Sequence, residues 1–148
     1  MPENSYHQAL GARFSSAVPH VRALGIHIVE VCSTQVTAAL PYRDDWLGDP
    51  VRGLIHTGVI TTLVDSASGL AVLARLERYE PVATLDLRMD YLRPALRDLA
   101  LNCRAECYRL TAHIAFVRAS VWQDDAGAAV ATSQSVFMLS SRKKQRTL

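Results

Sequence analysis

The feature of this chain that most limits its possible folds is the stretch from residue 57 to residue 74, whose only charged residue is Asp65. Apolar residues recur in it at intervals of three and four positions, namely at Val59, Ile60, Leu63, Ala67, Leu70, Ala71 and Ala74. This spacing places them on one face of an α-helix, and Pro81 ends the pattern. We therefore predict a long helix over residues 56–78. Asp65 and the many Thr, Ser and Gly residues of the stretch argue against a membrane span.

Segments with strand patterns flank the predicted helix on both sides. Residues 24–32 and 35–42 are typical of a hairpin, and a four-strand meander is expected over residues 83–93, 100–110, 112–123 and 128–139. In the first strand of the meander, alternation places Thr84 on the face opposite to Leu85, Leu87, Met89 and Tyr91. A shorter helix is expected over residues 4–15. A long helix lying across a mostly antiparallel sheet is an α+β arrangement, and residues 1–148 are expected to form one domain.

Asp65 lies on the face of the long helix that points away from the apolar stripe. Its neighbours on that face are mostly small, namely Gly58, Thr61, Gly69 and Val72. A helix that is uncharged all round is usually covered on both sides, and an unpartnered buried carboxylate is unfavourable. Asp65 is therefore expected to face a second subunit or a ligand. The alternative is a structural Asp65 that faces water or bonds to Thr61 or Ser68.

The start of the helix carries the pattern Gly-x-x-His-x-Gly, formed by Gly53, His56 and Gly58. A helix N-terminus presents free backbone N–H groups and a partial positive charge, which suit an oxyanion or a thioester carbonyl. Asp65 lies two turns further along, and we expect its carboxylate to approach a substrate held at that end. Transfer of an acyl group to water needs both parts, a donor for the oxyanion and a base or nucleophile.

These residues resemble those of the hotdog-fold acyl-CoA thioesterases, in particular the phenylacetyl-CoA thioesterase-like subgroup, whose motif is His-Gly-Gly, six residues, then Asp. Residues 52–69 carry this motif, and the segments 24–26, 40–42 and 84–94 match the same subgroup in order and spacing. The resemblance spans residues 24–139. It implies a hotdog fold, in which a mostly antiparallel sheet of five to six strands wraps the long helix. It also implies a homodimer or homotetramer in which two subunits join their sheets side by side.

The resemblance further implies roles for three residues of the reaction. Asp65 would act as general base or nucleophile, and the backbone N–H of Thr57 would polarise the thioester carbonyl. Thr84 of the partner subunit would help to place the water. His56, Gly58 and Arg93 are candidate substrate-binding residues, with Arg93 near a phosphate of CoA.

The chain departs from the subgroup motif at two places. Thr57 replaces the first Gly of the motif, which puts a side chain where backbone usually approaches the substrate closely. Pro50, next to Asp49, stands where many relatives have Asn, so that polar contact is not carried over.

Composition and cysteine content argue against nucleic-acid binding and for a location inside the cell. The chain has 148 residues, of which 49% are hydrophobic, and a net charge of +2 with no nucleic-acid-recognition motif. No Cys or His spacing suggests zinc, so neither a metal nor another cofactor is expected beyond the CoA of the substrate. Of the three cysteines, Cys103 and Cys107 would lie ~13 Å apart on one strand, too far for a disulfide. Reduced thiols and the lack of a signal-peptide pattern predict a cytoplasmic location.

Three functions stay open at the level of sequence. The first is hydrolysis of an acyl-CoA with a medium or long fatty chain or an aryl group. The second is an acyl-CoA sensor without catalysis, which Thr57 in place of Gly would favour. The third is an acyl-thioester dehydratase or hydratase that pairs His56 with Asp65. These two residues lie nine positions apart, about 13.5 Å along a helix, so they cannot pair within one subunit.

Overall fold

The computed structural model describes residues 5–140. A short 3₁₀ turn at Asp44–Trp46 precedes the hairpin before the long helix. The helices and strands in chain order are α1 (Ser5–Ala17), α2 (Pro19–Leu24), β1 (His27–Val31), β2 (Gln35–Leu40), β3 (Leu47–Asp49), β4 (Leu54–Ile55), α3 (Thr57–Leu76), β5 (Val82–Tyr91), β6 (Leu101–Leu110), β7 (Ile114–Trp122) and β8 (Ala131–Leu139).

Six strands form one antiparallel sheet in the order β1-β2-β6-β7-β8-β5, and β3 and β4 form a separate hairpin. The predicted strands after the long helix are confirmed, and the predicted meander is confirmed for β6, β7 and β8 but wrong for β5. Strand β5 pairs with β8 at the far edge of the sheet instead of with β6, its neighbour in sequence. The N–H groups of Leu92 and Arg93 donate to the carbonyl of Val130, which ties the end of β5 to the start of β8. Strand β5 is consequently an edge strand.

Helix α3 lies across the inner face of the sheet, where it contacts β2, β5, β6, β7 and β8. The apolar stripe predicted from its periodicity is buried, because small residues of β6 and β7 let the helix approach closely. Those small residues are Cys103, Ala105, Cys107, Ala115 and Ala119. Within residues 5–140, α3 is the one helix that is long and apolar enough to cross a membrane. Of its 18-residue apolar stretch, 56% is buried inside the domain. The fold is the predicted α+β arrangement, with α3 as its core helix.

Both ends of α3 lie inside the predicted range of residues 56–78. At its start, His56 is the capping residue and does not belong to the helix. At its end, Glu77 takes a left-handed conformation with φ of 52°, which stops the helix before Pro81. Two side chains of α1 satisfy the last carbonyls of α3: the Tyr6 hydroxyl donates to Leu73 O (2.9 Å) and His7 Nε2 donates to Ala74 O (3.1 Å). Helix α1 therefore closes the C-terminal end of α3 and leaves the N-terminal end accessible.

Candidate active site

The hairpin formed by β3 and β4 fixes the backbone that leads into α3. The His56 N–H donates to Trp46 O (2.7 Å), and the Ile55 N–H donates to Ala95 O (2.9 Å). In the turn of the hairpin, Asp49 accepts hydrogen bonds from the backbone N–H (3.0 Å) and Nε (2.6 Å) of Arg52. These contacts hold the pKa of Asp49 below its usual value. Asp49 is thus engaged in the turn, beside the position where relatives of the subgroup carry Asn.

His56 caps the first turn of α3 with its side chain. Its Nδ1 accepts a hydrogen bond from the Gly58 N–H at 2.9 Å, so the neutral ring carries its hydrogen on Nε2. Two glycines make room for this ring. A Cβ on Gly58 would lie 2.9 Å from Nδ1, and a Cβ on Gly48 would lie 3.0 Å from the His56 Cα. The structure therefore explains His56 and Gly58 together, as a cap and the space that the cap needs.

The cap leaves one backbone donor of the first turn available. The Gly58 N–H is taken by His56 Nδ1, and the Val59 N–H donates to the His56 carbonyl at 3.0 Å. Among residues 5–140, nothing accepts a hydrogen bond from the Thr57 N–H. This is the donor that the family resemblance implied for the thioester carbonyl, and it lies at the positive end of the helix dipole.

Thr84 contacts Asp65 of its own chain: its Oγ1 donates to Asp65 Oδ1 at 2.8 Å. The alternation placed Thr84 on the opposite face of β5 from Leu87, which was wrong. The resemblance implied a role across a subunit boundary, whereas the contact seen lies within one chain. Thr84 pairs with Phe137 and Asp86 with Val136, so Leu85 is an extra residue, a β-bulge. The bulge turns Thr84 to the inner face, towards α3.

Asp65 is half-buried on α3, on the side that faces β5. Neither bond of the structural alternative, to Thr61 or to Ser68, is formed. The Thr61 hydroxyl contacts Tyr91 and the Thr57 carbonyl, and the Ser68 hydroxyl is buried with no partner among the described residues. In the described part of the chain no donor reaches Asp65 Oδ2. One carboxylate oxygen is held by Thr84, and the other is available to a water molecule or a substrate.

One chain does not bring Asp65 and the Thr57 N–H to the same carbonyl. Helix α3 is continuous between them, and eight residues correspond to about 12 Å of helix rise. A base or nucleophile and an oxyanion donor must lie within about 3 Å of reacting atoms that belong to one carbonyl group. The rise along α3 thus argues against the expectation that Asp65 reaches a substrate held at the start of its own helix.

Two shallow cavities flank the start of α3. His56 and Gly58 line one of about 370 Å³, together with Trp46 of the hairpin. Thr57 and Arg93 line the other, of about 420 Å³, whose remaining walls are Leu54, Ile55, Ile60, Tyr91, Leu92, Pro94 and Ala95. The candidate binding residues are thus divided between two sides of the helix start, with Arg93 on the side of Thr57.

Tyr91 is a residue of this site that the sequence analysis missed. Its hydroxyl lies 2.5 Å from Thr61 Oγ1 and donates to the Thr57 carbonyl at 3.3 Å. The alternation along β5 grouped Tyr91 with Leu87 and Met89, and it does lie on their face, the inner one. The signal that could have found it is the hydroxyl group itself, because a tyrosine turned towards a core helix generally requires a polar partner.

The buried thiols do not take part in the chemistry. Cys103 and Cys107 are free cysteines on the inner face of β6. Burial raises the pKa of Cys103 to about 12 and also raises the pKa of Cys107. Since the thiolate is the nucleophilic form, neither is a nucleophile at neutral pH. No group of three or more His, Cys, Asp or Glu side chains suited to a metal ion occurs among residues 5–140.

Comparison with known proteins identifies relatives of this chain. The family described as the thioesterase superfamily matches residues 52–130. The medium/long-chain acyl-CoA thioesterase YigI of Escherichia coli is 30% identical over 98 residues, which are 57% of this chain and 63% of YigI. The chain spans between 52% and 83% of the length of the curated relatives it matches.

Solved structures agree with this relationship. A Pseudomonas aeruginosa protein is 36% identical with a TM-score of 0.80, covering 90% of this chain and 98% of that one. A mutant of the phenylacetic acid degradation protein PaaI from Thermus thermophilus is 29% identical with a TM-score of 0.72, covering 82% of this chain and 98% of that one. These similarities confirm the resemblance to hotdog-fold thioesterases that the sequence predicted.

Proposed function

This chain belongs to the thioesterase superfamily, and from that premise we propose that it hydrolyses acyl-CoA thioesters to a free acid and CoA. The observation that carries the proposal is the hydrogen bond between Thr84 Oγ1 and Asp65 Oδ1. A hydroxyl that donates to one carboxylate oxygen orients the group. Asp65 Oδ2 then follows one of two routes. It takes a proton from water, whose oxygen attacks the thioester carbon and expels the CoA thiolate, or it attacks that carbon itself, expels the thiolate and forms a mixed anhydride that water hydrolyses.

The second half of the proposed mechanism is electrostatic. The thioester oxygen gains negative charge as the carbonyl carbon is attacked, and the Thr57 N–H supplies the hydrogen bond for it. The positive end of the α3 dipole adds to the same effect. In this mechanism Thr84 is a positioning residue that acts through Asp65. His56 and Gly58 shape the helix start, and Arg93 is the candidate contact for a CoA phosphate.

We infer that two copies of the chain build each site. The helix rise of about 12 Å between Thr57 and Asp65 is too long for one carbonyl, so the Thr57 N–H would work with Asp65 of the partner subunit. Strand β5 supports this pairing, because a long edge strand with free backbone groups is a template for a second strand. Leu85, an apolar residue at the bulge of this edge strand, is 52% exposed. A two-fold dimer would contain two such sites, and a tetramer four.

The acyl group is proposed to be apolar, with a medium or long fatty chain preferred and an aryl group as the alternative. The cavity beside Thr57 has mostly apolar walls, including Leu54, Ile60 and Leu92. YigI, which is similar over 98 residues, is named as a medium/long-chain acyl-CoA thioesterase. A cytoplasmic location stays a prediction that rests on the three cysteines. No metal or other cofactor is part of the proposal.

A panel of acyl-CoA substrates tests the proposed function directly. Straight chains of increasing length and phenylacetyl-CoA are incubated with the purified protein, and free CoA thiol is measured with a chromogenic disulfide. We expect turnover that Asp65→Asn abolishes. Formation of an enoyl product without thiol release would favour the dehydratase alternative. Binding of acyl-CoA without any product would favour the sensor alternative.

A further inference from the structure

The Tyr91 hydroxyl joins the end of the edge strand β5 to the first turn of α3. It contacts Thr61 Oγ1 at 2.5 Å and the Thr57 carbonyl at 3.3 Å, and Thr61 Oγ1 itself lies 3.2 Å from that carbonyl. The carbonyl only accepts, so each hydroxyl can supply one proton to the triangle of contacts. Either hydroxyl can donate to the carbonyl while the other donates to its neighbour. In either arrangement two protons serve two of the three contacts, and the carbonyl accepts from one hydroxyl of the pair.

These contacts hold one particular peptide group at both ends. The Thr57 carbonyl and the Gly58 N–H belong to the same planar peptide unit. The carbonyl is held by Tyr91 and Thr61, and the N–H is held by His56 Nδ1 at 2.9 Å. This peptide unit is restrained at both ends, and only the φ and ψ of Thr57 separate it from the preceding unit, which carries the Thr57 N–H.

Because of its bulge, strand β5 contacts both Asp65 and the first turn of α3. Tyr91 lies seven positions after Thr84, and in a regular strand an odd separation places two side chains on opposite faces. The extra residue Leu85 restores the same face for both. Thr84 therefore contacts Asp65, and Tyr91 contacts the turn that carries the Thr57 N–H.

We propose that Tyr91 is a positioning residue for thioester hydrolysis, whose hydroxyl acts with Thr61 to hold the first turn of α3 so that the Thr57 N–H points at the thioester oxygen. This inference rests on the proposed function. Tyr91 acts through the backbone and does not touch the reacting atoms. Its loss therefore weakens the stabilisation of the transition state while substrate binding in the ground state stays the same.

Steady-state kinetics of Tyr91→Phe tests the inference on the best acyl-CoA of the panel. We expect kcat to fall by about tenfold, less than the loss of a whole oxyanion donor, with KM within about twofold of the parent. Thr61→Val should give a similar loss, and the double variant should be no worse than either single variant, because both remove the same triangle. Thr61→Ser keeps a hydroxyl and should keep the parent rate.

Tyr108→Phe is the matched control, since Tyr108 is also partly exposed and its ring contacts Phe116 and Arg118, outside the site. Denaturant unfolding of each variant separates loss of fold from loss of rate, and Thr61→Val keeps the test open if Tyr91→Phe does not fold. An active parent with an unchanged kcat in Tyr91→Phe would overturn this inference and leave the proposed function intact. So would additive losses in the double variant, a loss confined to KM, or an equal loss in Tyr108→Phe. A parent without turnover on the whole panel would overturn the proposed function, and this inference with it.

Discussion

Thr57→Pro removes the proposed oxyanion donor with very little other change. Thr57 is the first residue of α3, a position where proline is favoured because its missing N–H has no partner within the helix. The preceding residue, His56, already has φ of −64° and ψ of 132°, which is the extended conformation that proline requires before it. The Thr57 N–H donates to no acceptor in residues 5–140, so no internal hydrogen bond is lost.

The expected loss of rate is that of removing one oxyanion donor. Removal of one preorganised oxyanion donor lowers kcat by about 10²–10³, which corresponds to about 2.7–4 kcal/mol of transition-state stabilisation. The free energy of unfolding should change by less than about 1 kcal/mol, because proline fits the backbone and also restricts the unfolded chain. A large loss of rate with a preserved fold is therefore the expected signature.

The assay is release of CoA thiol at saturating acyl-CoA, with the free energy of unfolding measured by urea titration. Thr57→Ala and Thr57→Gly are the matched controls, since both delete the side chain and keep the backbone N–H. We expect both to stay within about fivefold of the parent rate, and Thr57→Gly to accept bulky acyl groups at least as well. A folded Thr57→Pro protein with the parent kcat would refute the proposed role of this N–H. Loss of activity in Thr57→Gly would instead identify the threonine hydroxyl as the working group.

Three further predictions concern the base, the assembly and the thiols. Asp65→Asn should remain folded and lose about 10²-fold or more in kcat, which is the scale of a lost general base, while KM changes little. An Asp65→Asn protein with the parent rate would remove Asp65 from the mechanism. Mixing Thr57→Pro subunits with Asp65→Ala subunits should restore activity, because each hybrid dimer contains one intact site. Mixing Asp65→Ala subunits with Thr84→Ala subunits should restore none. The reverse pattern would contradict the assignment of these residues to subunits. The third prediction is checked by titrating the native protein with a thiol reagent at pH 8. The exposed Cys32 should react, whereas Cys103 should react only after the chain unfolds, because burial raises the pKa of Cys103 to about 12. Fast labelling of Cys103 would show that β6 opens readily.

The sequence by itself determined the parts of this protein that depend on local periodicity. The helix from Thr57 to Leu76 was predictable to within two residues, because its hydrogen bonds join residues four apart and its buried face repeats at the same interval. The strands after it were predictable from alternation, apart from their ends. Asp65 stood out for the same reason, as the one charged residue between positions 57 and 74.

Only the tertiary structure decided how these elements meet. The pairing of β5 with β8 and the bulge at Leu85 are properties of the register between two strands that lie far apart in sequence, so no local pattern encodes them. That register turned Thr84 towards Asp65 of its own chain and aligned Tyr91 with the first turn of α3. The same continuous helix that made Asp65 and Thr57 easy to find also holds them about 12 Å apart, because its rise is fixed at 1.5 Å per residue. The motif therefore names both proposed parts of the site, and the rigidity of the helix is the reason for our proposal that they come from different copies of the chain.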